Sequence, residues 1–125
     1  MERTILIVED HVDSREMLAD ALEFSGYQVL QAPDGPEGED LAARHLPDLI
    51  LLDISLPTKS GLEVLRALRG QEATRHIPVI ALTAHARPED EQQAIQAGCN
   101  AYLPKPVKPR QVIQEIARLL QMESQ

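Results

Sequence analysis

Four apolar runs in this chain stop at, or lead directly into, a polar residue. Thr4-Ile5-Leu6-Ile7-Val8 ends in Glu9-Asp10, Leu49-Ile50-Leu51-Leu52 in Asp53, and Val79-Ile80-Ala81-Leu82 in Thr83. Ala101-Tyr102-Leu103 leads into Pro104-Lys105-Pro106. Each polar residue alone has an ordinary explanation: Glu9 and Asp10 as favourable charge at a helix start, Asp53 as a turn cap, Lys105 as a solvated loop lysine. Their common placement at the ends of runs points instead to chemistry shared between them. Converging carboxylates repel, by about 4 kcal/mol for two charges about 4 Å apart at an effective dielectric of about 20. Lys105 supplies one compensating charge, and a divalent cation is the natural second. Oxygen ligands with positions left to water suit Mg²⁺ better than zinc. The single cysteine, Cys99, excludes an internal disulfide and a Cys-based zinc site, and reads as a small buried hydrophobe. His11, His45, His76 and His85 lack ligand spacing and read as solvated surface residues.

The runs that carry these residues alternate with amphipathic stretches. After Glu9-Asp10, Asp13 or Ser14 caps a helix whose Met17, Leu18, Ala21 and Leu22 share a face, with Gly26 closing it. Gln28 to Ala32 reads as a shorter strand, and Gly35-Pro36 opens a second helix that Gly38 weakens. The run at 49–52 is apolar throughout, as expected of a parallel strand covered on both faces. Gly61 precedes a third helix with Leu62, Leu65 and Leu68, and Gly70 stops it. Pro88-Glu89-Asp90-Glu91 starts a fourth, whose apolar face (Ala94, Ile95, Ala97) is thin enough to predict loose anchoring. Pro109 starts the last, with Val112, Ile113, Ile116, Ala117 and Leu120 as its stripe. Five strand–helix units of about 25 residues predict an open parallel α/β sheet with helices on both faces. In such a sheet ligands bind beyond the carboxyl ends of the strands, where all five polar residues fall.

Composition narrows the possible partners. At 125 residues the chain fits one domain, and 43% hydrophobic residues suffice for a core. Aromatics are only 2%, which argues against a base-stacking surface for single-stranded nucleic acid. The net charge of -8 argues against bulk binding to DNA or anionic lipid. Residues 1–53 hold thirteen acids and three bases, whereas residues 54–125 hold seven and nine, so the acidity belongs to the first half. No apolar stretch approaches a membrane span, and the strand-like run begins too early for a signal peptide; a cytoplasmic location is the expectation.

Together the motifs closely resemble the receiver domain of two-component response regulators. The resemblance rests on Val8-Glu9-Asp10, Pro47-Asp48-Leu49-Ile50-Leu51-Leu52-Asp53, Leu56-Pro57, Gly61, Thr83-Ala84 and Tyr102-Leu103-Pro104-Lys105-Pro106, and covers essentially the whole chain. It implies a three-layer, doubly wound, five-stranded parallel sheet of flavodoxin-like strand order 2-1-3-4-5. The implied function is a phosphoacceptor switch in which Asp53 takes a phosphoryl group from a sensor histidine kinase or phosphotransfer protein. Mg²⁺ would be held by Asp10, Asp53 and the backbone carbonyl of Ser55, with Glu9 acting mainly through water. Lys105 would contact a phosphoryl oxygen, the Thr83 hydroxyl would move to bond another, and Tyr102 would follow inward. The face formed by the fourth helix, last strand and last helix would then change shape for a downstream protein. One or two charge-assisted hydrogen bonds, about 1.5–3 kcal/mol each, fall short of the roughly 5.5 kcal/mol that a complete switch needs. A graded population shift is therefore expected.

The resemblance also implies a cis Lys105–Pro106 bond, and a small Ala84 that leaves the phosphoryl group reachable. Ser55 and His85 would influence how long that group survives. Leu56 stands where methionine is frequent in the family, and Glu9-Asp10 where two aspartates are common; neither change removes the pocket. The expected unit is one receiver domain over 1–125 with no output domain, not a classical enzyme, and a monomer or weak homodimer. Three other readings lack a required feature. An aspartate-nucleophile phosphatase wants a carboxylate where Ser55 stands, and an FMN protein wants a phosphate loop where Glu9-Asp10-His11-Val12-Asp13 would repel one. A degenerate receiver that uses the fold only for contacts is the nearest alternative; it would normally have lost Asp53 or Lys105, and both remain.

Overall fold

The computed structural model describes residues 2–56, 60–84 and 87–123. Its elements are β1 (Thr4–Val8), α1 (Val12–Phe24), β2 (Gln28–Ala32), α2 (Gly35–His45) and β3 (Leu49–Asp53). They continue with α3 (Gly61–Gly70), β4 (Val79–Thr83), α4 (Pro88–Ala97), β5 (Ala101–Pro104) and α5 (Pro109–Glu123). All four strand pairings are parallel and the sheet order is β2-β1-β3-β4-β5, the doubly wound arrangement that the alternation and the resemblance imply.

Alternate strand residues enter two separate cores because successive side chains point to opposite faces. Ile5 and Ile7, Leu49 and Leu51, and Ile80 and Leu82 pack with Leu18 and Leu22 of α1 and Val112 and Ile116 of α5. Leu6 and Val8, Ile50 and Leu52, and Val79 pack on the other face with Ala42, Val64, Leu65 and Leu68 of α2 and α3. β3 and β4 are buried along their whole length, which is why their runs show no polar alternation.

Several local expectations are corrected. α1 starts at Val12 with His11 as its N-cap and no side-chain cap, so Asp13 sits inside the first turn rather than before it. Gly26 does take the left-handed conformation, at φ 99°. α2 has a cap that composition did not announce, Asp34 Oδ1 accepting from Glu37 N–H at 2.9 Å. Gly38, a weakness by helix propensity, allows α2 to approach β1: a Cβ there would lie 2.8 Å from Val8 Cγ2. Gly70 is the last helical residue of α3 without positive φ, and Gln71 caps it. In α4 only Ala94 and Ala97 are buried and Ile95 faces solvent, so the apolar face is thinner still. In α5 Leu119 joins the core while Ala117 is exposed. Cys99 is half-buried rather than fully enclosed.

Candidate functional site

The sheet's hydrogen-bond ladder carries the polar residues to one edge. Glu9 N–H donates to Ala32 O at 3.0 Å, extending the β1–β2 pairing one residue past the strand. Asp53 is the last residue of β3, and Ile54 N–H donates to Leu82 O at 2.8 Å, so the chain stays in register just beyond it. Lys105 N–H donates to Thr83 O at 2.7 Å, fixing the exit of β5 against that of β4. Gly61 presses against the turn after Asp53. A Cβ at Gly61 would lie 2.4 Å from Ile54 Cα and 2.5 Å from Asp53 O, both backbone atoms, so no larger residue fits.

Glu9, Asp53 and Lys105 meet directly. The Lys105 ammonium donates to Glu9 Oε1 at 2.9 Å, Glu9 Oε2 at 3.1 Å and Asp53 Oδ2 at 3.1 Å. The other Asp53 oxygen, Oδ1, accepts from Ser55 N–H at 2.9 Å. Glu9 and Asp53 are buried, at 1% and 2% exposure, whereas Asp10 is exposed. One carboxylate oxygen from each of Glu9, Asp10 and Asp53 lies within 4.8 Å of the others. Three hard oxygen donors, two enclosed and one open to water, fit a small divalent cation that retains part of its hydration.

The charges are strained in a particular direction. Burial, and then the neighbouring Asp53, push the Glu9 carboxyl up to about 7 against the pull of Lys105. Burial also opposes ionisation of Asp53, but hydrogen bonds from Glu9, Ser55 N–H and Lys105 outweigh it and hold its pKa below the usual value. Lys105 is raised: its burial favours the neutral amine, and the bonds to Glu9 and Asp53 more than reverse that. Among the described residues one ammonium faces two enclosed carboxylates and does not fully neutralise them.

The remaining expected residues lie around this centre. Thr83 is buried at the end of β4. Together with Tyr102, Ile54, Ser55, Leu62 and two α4 residues, Asp90 and Gln93, it lines a cavity of about 70 Å³. Ala84 is exposed beside Thr83. The Lys105–Pro106 bond is cis, as the resemblance implies. Pro106 borders a second cleft, of about 100 Å³, with Glu9, Met17, Leu18 and Val107 among its other lining residues. His85 and Pro57 lie outside the described residues. Sequence patterns do not single out Arg15, yet its Nη1 donates to Glu9 O at 2.9 Å. Its one signal in the sequence is a cation in the first turn of a helix, where the macrodipole disfavours it.

Known proteins share this fold and much of this sequence. The sequence profile of the response regulator receiver domain matches residues 5–117. The polar-differentiation response regulator DivK of Brucella ovis is 45% identical over 120 residues, covering 96% of this chain and 98% of its own. A CheY-like response regulator receiver domain protein from Methanospirillum hungatei superposes with a TM-score of 0.93 at 31% identity, covering 99% of this chain and 98% of its own. The receiver domain of a Pseudomonas aeruginosa sensor histidine kinase, solved with a magnesium ion coordinated in its active-site cleft, gives a TM-score of 0.83 at 38% identity. That likeness covers 98% of this chain and 97% of that structure. The chain belongs to the response regulator receiver domain family, the signalling modules of two-component systems.

Proposed function

We propose that this receiver is a phosphoacceptor switch in which Asp53 takes a phosphoryl group from a phosphohistidine. The donor is a sensor histidine kinase or a histidine phosphotransfer protein. The observation that carries this reading is the Lys105 ammonium bridging Glu9 and Asp53, with Asp10 beside them at the open end of the sheet. A carboxylate oxygen of Asp53 bonds to phosphorus as the P–N bond breaks in line; the imidazole leaves with the bonding pair and takes a proton from solvent. Asp53, kept ionised, meets the requirement for a nucleophile. Lys105 is within reach to exchange its bond to Asp53 for one to a phosphoryl oxygen. Glu9, Asp10, Asp53 and the Ser55 backbone carbonyl are the residues that would hold Mg²⁺, which when bound supplies positive charge opposite the transferring group.

The readout runs through Thr83 and Tyr102. A new acceptor on Asp53 draws the Thr83 hydroxyl towards it, and Tyr102 moves into the cavity that both residues border. α4, held by two buried alanines, is the element with least to lose by shifting. A downstream protein then reads the α4–β5–α5 face. Incubation with a small phosphodonor such as acetyl phosphate and Mg²⁺, followed by intact-mass measurement, tests the chemistry. The expected result is one added phosphoryl group in the parent chain and none in Asp53→Asn. An unmodified parent, or a label retained by the variant, would overturn the mechanism.

A further inference from the structure

Arg15 stands where a helix least favours a cation. It is the single base among the thirteen residues of α1 and lies at the end of the first turn, near the positive end of the macrodipole. Its half-buried side chain bonds outside the helix: Nη1 donates to Glu9 O at 2.9 Å, and Nε to Gln31 Oε1 at 3.2 Å. One guanidinium thus braces the exit of β1 against β2. The usual brace for a strand-to-helix connection is a side-chain cap, and His11 provides none. The peptide entering Glu9 is fixed by its N–H bond to Ala32 O, and the peptide leaving it is held by Arg15. That second peptide leads straight into Asp10, the exposed member of the carboxylate cluster.

We infer that Arg15 is a positioning residue for the acid pocket. By holding the Glu9–Asp10 peptide it sets the Asp10 carboxylate at its working distance from Glu9 and Asp53, before any cation arrives. Residues that break a local rule beside a functional site commonly serve that site, and here the broken rule is the helix dipole. The inference rests on the reading that these three carboxylates take a divalent cation.

Calorimetric titration of Mg²⁺ into the intact chain, with melting temperature measured alongside, separates the possibilities. Arg15→Gln is expected to raise the Mg²⁺ Kd by about fivefold, the effect of one lost hydrogen bond on preorganisation. Arg15→Lys keeps the charge but not the two-pronged brace, so its Kd should also rise, by less than in Arg15→Gln. Gln31→Ala removes the second anchor from an exposed strand position and should shift the Kd in the same direction by a smaller factor. Charge acting alone has the opposite sign, since deleting a cation beside three carboxylates tightens Mg²⁺ binding. A tighter or unchanged Kd in Arg15→Gln would overturn the inference, as would variants that melt earlier with the Kd unmoved. Should Arg15→Gln fail to fold, an unmoved Kd in Gln31→Ala is decisive against it. A parent chain that binds no Mg²⁺ refutes the cation reading itself; a parent that binds, with unaltered variants, refutes only the role of Arg15.

Discussion

β3 with α3 and β4 with α4 begin alike and end differently. Both strands are five residues, buried throughout, and both end in a polar residue of the site, Asp53 or Thr83. Both helices are ten residues long. α3, however, buries Gly61, Val64, Leu65 and Leu68, and Ser60 caps its start by accepting from Glu63 N–H at 3.2 Å. α4 buries two alanines, and Arg87 at its start offers no side-chain cap. The side that carries the proposed nucleophile is the better anchored, which suits the fixed geometry that in-line transfer would demand. The side that carries the proposed reporter is loose, because a signal requires something that moves.

The largest effect expected from this contrast is in the locked unit. Leu65→Ala, at a position with no exposure, should destabilise the chain by about 3–5 kcal/mol in urea unfolding. A loss below about 1 kcal/mol, the level of a single tolerated surface change, would show that α3 is no better anchored than α4. The locked side also bears an electrostatic load. Glu9 in the folded chain titrates near 7 against an ordinary 4.5, so between those values the folded state keeps a proton that the unfolded state has lost. Stability is therefore highest towards the acid end of that window and declines as pH rises through 7. The loss from pH 5 to 8 in metal-free buffer should reach about 2–3 kcal/mol. Asp53 has the reverse sign, but its lowered pKa places its contribution below its usual 3.8, outside this window. Glu9→Gln should flatten the slope, and millimolar Mg²⁺ should shrink it in the parent. Stability that rises with pH over this range in the parent would contradict the burial argument.

The locked unit was the more legible in sequence, and the reason is physical. Buried parallel strands need unbroken β-branched and leucine runs, so β3 and β4 declare themselves equally; the difference lies in the helices, where α3 shows a leucine stripe and α4 buries only alanines. Glu9, Asp53 and Lys105 can be placed together because parallel strands bring every carboxyl end to the same end of the sheet. Backbone-directed side chains have no such pattern. The Arg15 brace and the place of Gly38 against Val8 depend on distances between elements, which periodicity does not encode. The Asp34 cap is local, three residues from its partner, and Asp34-Gly35-Pro36-Glu37 carries its signal in the sequence. Ile95 faces solvent because a short helical face with few apolar residues leaves the rotation of α4 undetermined by sequence; on α5, Leu119 takes the core position beside Ile116 and Leu120 and leaves Ala117 outside.

Loose does not mean unattached, and the polar attachment of α4 to α3 is at its carboxyl end. Arg69 of α3 donates through Nε to Gly98 O at 3.0 Å and through Nη2 to Asn100 Oδ1 at 2.9 Å. Its Nη1 donates to Arg75 O at 2.9 Å and Ile77 O at 2.7 Å. Gly98 is the left-handed C-cap of α4, and a Cβ there would lie 2.9 Å from Arg69 Cγ. The locked helix thus holds the loose one by its carboxyl end. Arg69→Met should cost about 2 kcal/mol, the loss of several bonds from a charged donor partly offset by the retained stem. Amide exchange should rise more in α4 than in α3. Equal increases in both helices would mean that α4 does not pivot on this clamp.

The smallest expected effect probes the helix face itself. Ile95 is 56% exposed, and an exposed apolar residue away from caps and cores contributes little to stability. Ile95→Ser should change unfolding free energy by less than about 0.5 kcal/mol, whereas Leu68→Ala on α3 should cost about 2–4 kcal/mol. A serine variant that loses more than about 1 kcal/mol would place Ile95 in contact with the core. α4 would then be rotated inward, and the contrast between the two units would fail. A near-silent substitution carries a further implication. A bulky aliphatic side chain left in water on a weakly anchored helix does nothing for the isolated fold.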